Sequence, residues 1–144
     1  MMNMERNPAE LLRSYGVTPS PQRLAVFNYL LTHKNHPQAE TVFRELRPAM
    51  PTLSLTTVHN TLKLLVSKKA ILEVIIEDGS MRFDGDISDH AHFKCRKCGE
   101  VYDLFPEKGA PLVKEIPSLP EGFQMEALHL CMKGVCKGCT AAHE

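Results

Sequence analysis

Apolar residues in the first half of the chain recur at helical spacing, and the boundaries of each run carry helix start and stop residues. Asn7 followed by Pro8 is an N-cap with proline at the first helical position, and Gly16 is a natural stop after Tyr15. Ser20-Pro21 opens a second helix with Leu24, Phe27, Leu30 and Leu31 as its apolar side. Pro37 is expected to open a third, with Val42, Phe43 and Leu46 inward and Pro48 and Pro51 closing it. Ser54 caps a fourth, in which Leu55, Val58, Leu62 and Leu65 follow one another at helical intervals and share one face. After it, Ile71 to Ile76 is β-branched and apolar, Asp78-Gly79 is a hairpin turn signal, and Ser80 to Asp84 returns. Helices followed by a hairpin is the element order of a winged helix, in which the fourth helix enters a DNA groove.

The polar face of that fourth helix fits such a role. Thr56, Thr57, His59, Asn60 and Lys63 are hydrogen-bonding side chains with one cation and no acid, a composition suited to base edges and phosphates. An ordinary solvated helix face would look similar. Charge sharpens the picture: residues 1–70 carry nine Lys or Arg against four Asp or Glu, and residues 71–144 carry eight against thirteen, so a net charge of zero hides a basic half and an acidic half. A nucleic-acid footprint needs only a local basic surface. At 43% apolar residues the 144-residue chain has enough material for a core, which excludes bulk disorder. No stretch approaches the ~18 uninterrupted apolar residues of a membrane span, and Met1 to Arg6 lacks the apolar run of a signal peptide. The expectation is a cytoplasmic protein.

The second half is organised by metal-ligating residues. Four of the five cysteines form two C-x-x-C pairs, Cys95/Cys98 and Cys136/Cys139, with 37 residues between the pairs. Two such pairs make a tetrahedral sulfur site, which selects Zn²⁺. A redox pair is the alternative, but neither pair sits at a helix start after a strand. A segment of fewer than 60 residues, with Pro106, Pro111, Pro117 and Pro120 in its middle, needs such a staple. Imidazoles and carboxylates form a separate set: His90-x-His92 places two rings on one side of an extended segment, with Asp84 before, Asp103 after and His36 far upstream. Without thiolate these donors suit Fe²⁺, Mn²⁺, Zn²⁺ or Co²⁺. His36 alone reads equally as a surface or capping residue, and spacing does not join these five into one site.

The order Ser20-Pro21-Gln22-Arg23, His36-Pro37-x-Ala39, Ser54-x-x-Thr57-Val58, Arg82-Phe83-Asp84, Asp89-His90-x-His92, Cys95-x-x-Cys98-Gly99 and Gly134-x-Cys136-x-x-Cys139 resembles the ferric uptake regulator (Fur) family over nearly the whole chain. The resemblance implies an α+β fold: an N-terminal winged-helix DNA-binding domain and hinge over 1–84, then a small C-terminal α/β dimerisation domain with structural zinc over 85–144. It implies a homodimeric repressor, not an enzyme, on double-stranded inverted-repeat operator DNA. By the same resemblance Cys95, Cys98, Cys136 and Cys139 hold structural zinc, and His36, Asp84, His90, His92 and Asp103 hold a regulatory Fe²⁺ or Mn²⁺. Arg23, Thr56, Thr57, His59, Asn60 and Lys63 fall at DNA-contact positions.

The family's iron-responsive members carry glutamate at the positions of Asp84 and Asp103. Aspartate at both resembles the peroxide-responsive members, in which Fe²⁺ drives oxidation of a histidine ligand at the positions of His36 or His90. The alternative is an iron-, manganese- or zinc-responsive uptake regulator with the same ligands and no peroxide chemistry. Several positions depart from the family pattern. His59 stands where tyrosine is usual, and Leu128 and Ala91 replace ligands of a second Fur metal site, which is therefore expected to be absent. His129 is one residue out of register with that site. The four prolines interrupt the dimerisation helix expected near 106–120, and the fifth cysteine, Cys131, reads as a small apolar residue. Two further classes compete: a zinc-ribbon interaction module without DNA binding, and a metal-dependent hydrolase, for which no additional acid or base is in place.

Overall fold

The computed structural model describes residues 7–75, 81–88, 90–108, 110–113, 115–126 and 128–141. It divides into two compact units, Met1–Ile87 and Ser88–Glu144. The fold is α+β. Among the described residues no helix is long and apolar enough to cross a membrane.

The N-terminal unit runs α1 (Pro8–Ser14), α2 (Pro21–Thr32), α3 (Ala39–Leu46), α4 (Leu55–Ser67), β1 (Leu72–Ile75) and β2 (Met81–Asp84), the order of a winged helix. Three of its helices start on side-chain caps: Asn7 accepts from the Glu10 amide, Ser20 from Arg23 and Ser54 from Thr57. α1 ends on a Schellman turn, with Gly16 at φ +79° and amide bonds from Gly16 to Arg13 and from Val17 to Leu12. α3 departs from expectation. Pro37 does not open it; Gln38 is the N-cap, without a side-chain bond, and the helix begins at Ala39. The reason lies in β2, whose Phe83 amide takes the Pro37 carbonyl at 3.0 Å and holds that residue outside the helix.

The core is made by one face of each helix and the inner side of the hairpin. Leu12, Val26, Phe27, Leu30, Val42, Val58, Leu62 and Leu65 are fully enclosed, with Ile71 and Phe83 closing the sheet side. On α2 the buried stripe is rotated from the expected one: Val26 and Tyr29 are buried, while Leu24 and Leu31 pack half-buried at its margin. On α4 Leu55 is half-buried and Thr61 joins Val58, Leu62 and Leu65 inside. β1 and β2 pair antiparallel from Leu72↔Asp84 to Ile75↔Met81. The Asp78-Gly79 turn lies outside the described residues.

The C-terminal unit has a three-stranded sheet of order β4-β3-β5 and a one-turn helix: β3 (Ala91–Cys95), β4 (Val101–Leu104), β5 (Cys131–Gly134) and α5 (Lys137–Ala141). β3 pairs antiparallel with β4 and parallel with β5. Register puts Asp103, His92 and Cys131 in one row across the sheet, and Tyr102, Phe93 and Met132 in the next row, on the opposite face. Among the described residues from 105 to 130 there is no helix or strand, in keeping with the four prolines. Leu128 and His129 precede β5 and are exposed.

The end of β2 approaches α2 too closely for a side chain. A Cβ on Gly85 would stand 2.5 Å from the Leu30 carbonyl oxygen and 2.8 Å from its carbon. Gly85→Ala is therefore expected to displace this segment and destabilise the N-terminal unit by about 1–3 kcal/mol, the usual cost of overpacking, read as a lower midpoint in urea unfolding.

Candidate metal centres and nucleic-acid face

The two C-x-x-C pairs meet in the C-terminal unit. Cys95 ends β3, Cys98 lies in the turn to β4, Cys136 precedes α5 and Cys139 lies within it. Against expectation, the second pair does sit at a helix start after a strand, and it is the gathering of all four sulfurs that favours a metal over a redox pair. Their sulfurs all lie within 4.8 Å of one another, and Cys98 Sγ is 3.8 Å from Cys136 Sγ. Zn–S bonds of about 2.3 Å give a tetrahedral S–S edge of about 3.8 Å, so the spacing fits the ion. The turns supply amide donors: Cys95 Sγ accepts from the Cys98 amide at 3.5 Å and the Cys136 amide at 3.4 Å. Gly99 at φ +77° lets the first knuckle close back on Cys95 through its own amide.

These bonds lower the Cys95 thiol to about 5, with the Cys136 and Cys98 amides as the main causes. Cys139 is pushed up to about 12, first by hydrogen bonding with Cys136 and Cys95 and then by burial. Four thiols this close cannot all ionise, because the thiolates repel one another, and a divalent cation removes that conflict. This is a structural zinc site. Sequence reasoning missed one participant: the Tyr102 hydroxyl hydrogen-bonds Cys136, which holds the phenol proton up to about 12 and helps lower Cys136, after the Cys139 amide. Tyr102 and Cys136 are brought together only by the sheet, so no local spacing announces the pair.

The imidazoles and carboxylates form two sets, one in each unit. In the N-terminal unit His36 and Asp84 are both buried, with His36 Nε2 3.4 Å from Asp84 Oδ2. The other Asp84 oxygen accepts the Asp86 amide at 2.9 Å, which orients the carboxylate. His36 is thus a buried member of a His–Asp pair and no surface cap.

In the C-terminal unit Asp103 Oδ1 lies 3.4 Å from His90 Nε2 and 3.3 Å from His92 Nε2. Strand register accounts for this, since Asp103 is the direct partner of His92. His90 Nδ1 donates to the Ser88 carbonyl at 2.6 Å, which in the neutral ring turns an unprotonated Nε2 toward Asp103. Lone pairs then face a carboxylate, the donor geometry a cation satisfies, and the backbone bond is the usual orienting contact behind a ligating imidazole. Oxygen and nitrogen donors of this kind suit iron and manganese.

The expected DNA-contact residues all lie in the N-terminal unit. Thr56, His59, Asn60 and Lys63 are exposed on α4. Thr57 is half-buried and its hydroxyl is engaged with Ser54 at 2.9 Å in the helix cap. Arg23 turns its guanidinium onto the Thr18 carbonyl at 2.8 Å. His59 lies 3.7 Å from the Glu40 carboxylate, so α3 brings an acid to a face whose own sequence has none. His59 and Lys63 also rim a cleft of about 550 Å³ floored by Ala39, Val66, Met81 and Phe83.

Comparison with known proteins gives a single direction. Residues 14–132 match the ferric uptake regulator family. The peroxide operon regulator of Bacillus subtilis is 34% identical over 131 residues, spanning 91% of this chain and 90% of that protein. Among solved structures, PerR from Streptococcus pyogenes, studied for peroxide sensing and gene regulation, superposes with a TM-score of 0.50 at 26% identity, covering 90% of this chain and 88% of that one. The ferric uptake regulator of Pseudomonas aeruginosa with manganese reaches 0.69 at 22% identity over 92% and 99%.

Replacing Cys136 by serine is expected to lower bound zinc well below one per chain and to unfold the C-terminal unit. Structural zinc supplies on the order of 10 kcal/mol of apparent folding free energy in small domains. Zinc analysis with circular dichroism reads both effects. Because protons compete for the thiolates, zinc retention falls as pH falls.

Proposed function

We propose that this chain, which belongs to the ferric uptake regulator family, is a metal-dependent repressor that senses hydrogen peroxide. Members of the family are metal-responsive regulators and not enzymes. The finer assignment rests on one observation above the others: the carboxylates of the two His–Asp sets are both aspartates, Asp84 and Asp103, as in the peroxide-responsive members. The likeness to the Bacillus peroxide operon regulator supports it.

In this reading His36 and Asp84 from the N-terminal unit and His90, His92 and Asp103 from the C-terminal unit are ligands of one regulatory Fe²⁺ or Mn²⁺. Sharing one ion, the two sets tie the units to a single mutual setting. In a homodimer that setting fixes the spacing of two α4 helices, which must match operator half-sites a helical turn, or a multiple, apart. Metal and DNA affinity are then linked, and each raises the other by the same factor. Thr56, Thr57, His59, Asn60 and Lys63 of α4 meet the operator, with Arg23 at its phosphates. The exposed apolar side chains of the C-terminal unit, Phe105, Phe123 and Met125 among them, support burial against a second copy.

Iron(II), when bound, would activate hydrogen peroxide so that one of its oxygens is added to an imidazole ligand and the other leaves as water, the histidine giving up the two electrons; manganese(II) would support DNA binding without that reaction. The protein holds imidazoles at the place of oxidation. His90 is fixed by the Ser88 carbonyl and stacks on Phe105 at 4.9 Å, and His36 is fixed by its buried pair with Asp84. An oxidised imidazole is a poor ligand, so either ring is a one-way release for repression.

Two measurements test this reading. After Fe²⁺ loading and a small excess of hydrogen peroxide, peptide mass spectrometry is expected to find one added oxygen atom on the peptide carrying His36 or His90, and none in the Mn²⁺ form. Unmodified histidines with intact zinc thiolates would instead make this a reversible metal-responsive regulator. In duplex titrations, Lys63→Ala is expected to weaken binding nearly equally across sequences and to reduce the salt slope by about one. Absence of salt-dependent duplex binding would instead favour a zinc-ribbon interaction module.

A further inference from the structure

The corner that carries His36 is held in a conformation its sequence disfavours. His36 has φ +47°, and of the described non-glycine residues only it and Lys69 have positive φ. It also directly precedes Pro37, where contact with the pyrrolidine ring ordinarily forces an extended backbone. Such a residue persists only where its surroundings over-determine it.

Three consecutive residues of β2 provide those surroundings. Arg82 Nη1 reaches the His36 carbonyl at 3.5 Å, the Phe83 amide donates to the Pro37 carbonyl at 3.0 Å, and Asp84 Oδ2 lies 3.4 Å from the His36 ring. The first two contacts hold successive carbonyls of the corner, and the third receives the imidazole. β2 is itself anchored, because Phe83 belongs to the core and Gly85 runs against the α2 backbone. The corner is therefore fixed to the strand. Arg82 is half-buried, and its Nε is enclosed without a hydrogen-bond partner. Keeping a guanidinium there is costly unless the side chain has a task that a solvated one would not perform.

We propose that Arg82 is a positioning residue for the regulatory metal: together with the Phe83 amide it clamps the His36–Pro37 corner, so that the His36 ring faces Asp84 before any ion arrives. The proposal rests on the reading of His36 and Asp84 as ligands. A donor pair set in advance loses less conformational freedom on binding, so the clamp acts on metal affinity.

The test uses the full chain with zinc in place. Arg82→Ala is expected to weaken Mn²⁺ binding about tenfold or more, in the range of lost outer-shell contacts. It should also alter the visible spectrum of Co²⁺ bound in place of Mn²⁺ and leave zinc at one per chain. Arg82→Lys, which keeps the cation and loses the fork, should recover part of the affinity. Without regulatory metal, Arg82→Ala should also speed exchange of the Phe83 amide about tenfold and shift the His36 ring resonances.

Unchanged exchange and unchanged ring resonances would overturn the clamp whatever the metal does. Parent-like Mn²⁺ affinity in Arg82→Ala would overturn its role toward the metal. Equal loss in both variants, with a lower unfolding temperature of the zinc-only protein, would mark a purely structural residue and overturn it as well. If the amide and the ring respond but the parent chain takes up no Mn²⁺ or Co²⁺ beyond zinc, the corner is held as described. The ligand reading of His36 and Asp84 then falls, and with it the metal role of Arg82.

Discussion

The C-terminal unit depends on the four-sulfur cluster because little else in it is buried. Of its described apolar residues only Ala91 and Cys95 are enclosed, and Cys95 is itself one of the four thiols. Burial at about 25 cal/mol per Å² of apolar surface cannot offset the ordering of such a segment. The cluster ties the end of β3 to the β3–β4 turn and to the segment leading into α5, which closes the chain around the sheet. His92 and Asp103 face each other on the strands so fixed, and His90 lies one residue before β3. Sulfur coordination thus comes before the geometry of the His–Asp set.

The N-terminal unit solves the same positioning problem by other means. A contiguous hydrophobic cluster fixes α2, α4 and the hairpin, and the irregular His36 corner is pinned to that frame by β2. His36 sits between two regular helices in a conformation that neither helix dictates. Local backbone strain is tolerable there because the core behind Phe83 is complete. In the C-terminal unit, without such a core, the His–Asp set lies on paired strands and a strong backbone bond at His90.

Much of this was legible in the sequence, for identifiable reasons. Caps at Asn7, Ser20 and Ser54 are local signals, and the structure uses all three. The α4 face followed from its spacing, apart from the inward turn of Thr61. Paired C-x-x-C motifs are nearly as local, since each makes its own knuckle. Pro37 misled because proline at a helix start and proline just before one look alike. Only the long-range bond from Phe83 decides between them. Tyr102 on Cys136, Glu40 beside His59 and Arg82 on His36 share that property: each joins residues from different elements, and no periodicity encodes the pairing. The apolar stripe of α2 shifted because the neighbouring helices select which side is covered.

Separating soft from borderline donors has a consequence for exchange. A site of four thiolates in a protein of this size is part of its fold, so zinc leaves only if the unit opens. Imidazole and carboxylate bind divalent ions of the first row with less discrimination and without that folding contribution. An ion held by them can leave while the structure stays. Cys131 brings a thiol beside the imidazoles, because β5 register pairs it with His92 on the face that carries Asp103. Its sulfur lies against the Met132 carbonyl at 3.8 Å and is not a member of the four-sulfur cluster. A lasting zinc and an exchangeable ion can occupy one small chain because each has its own donors, four thiolates for the first and imidazoles with carboxylates for the second.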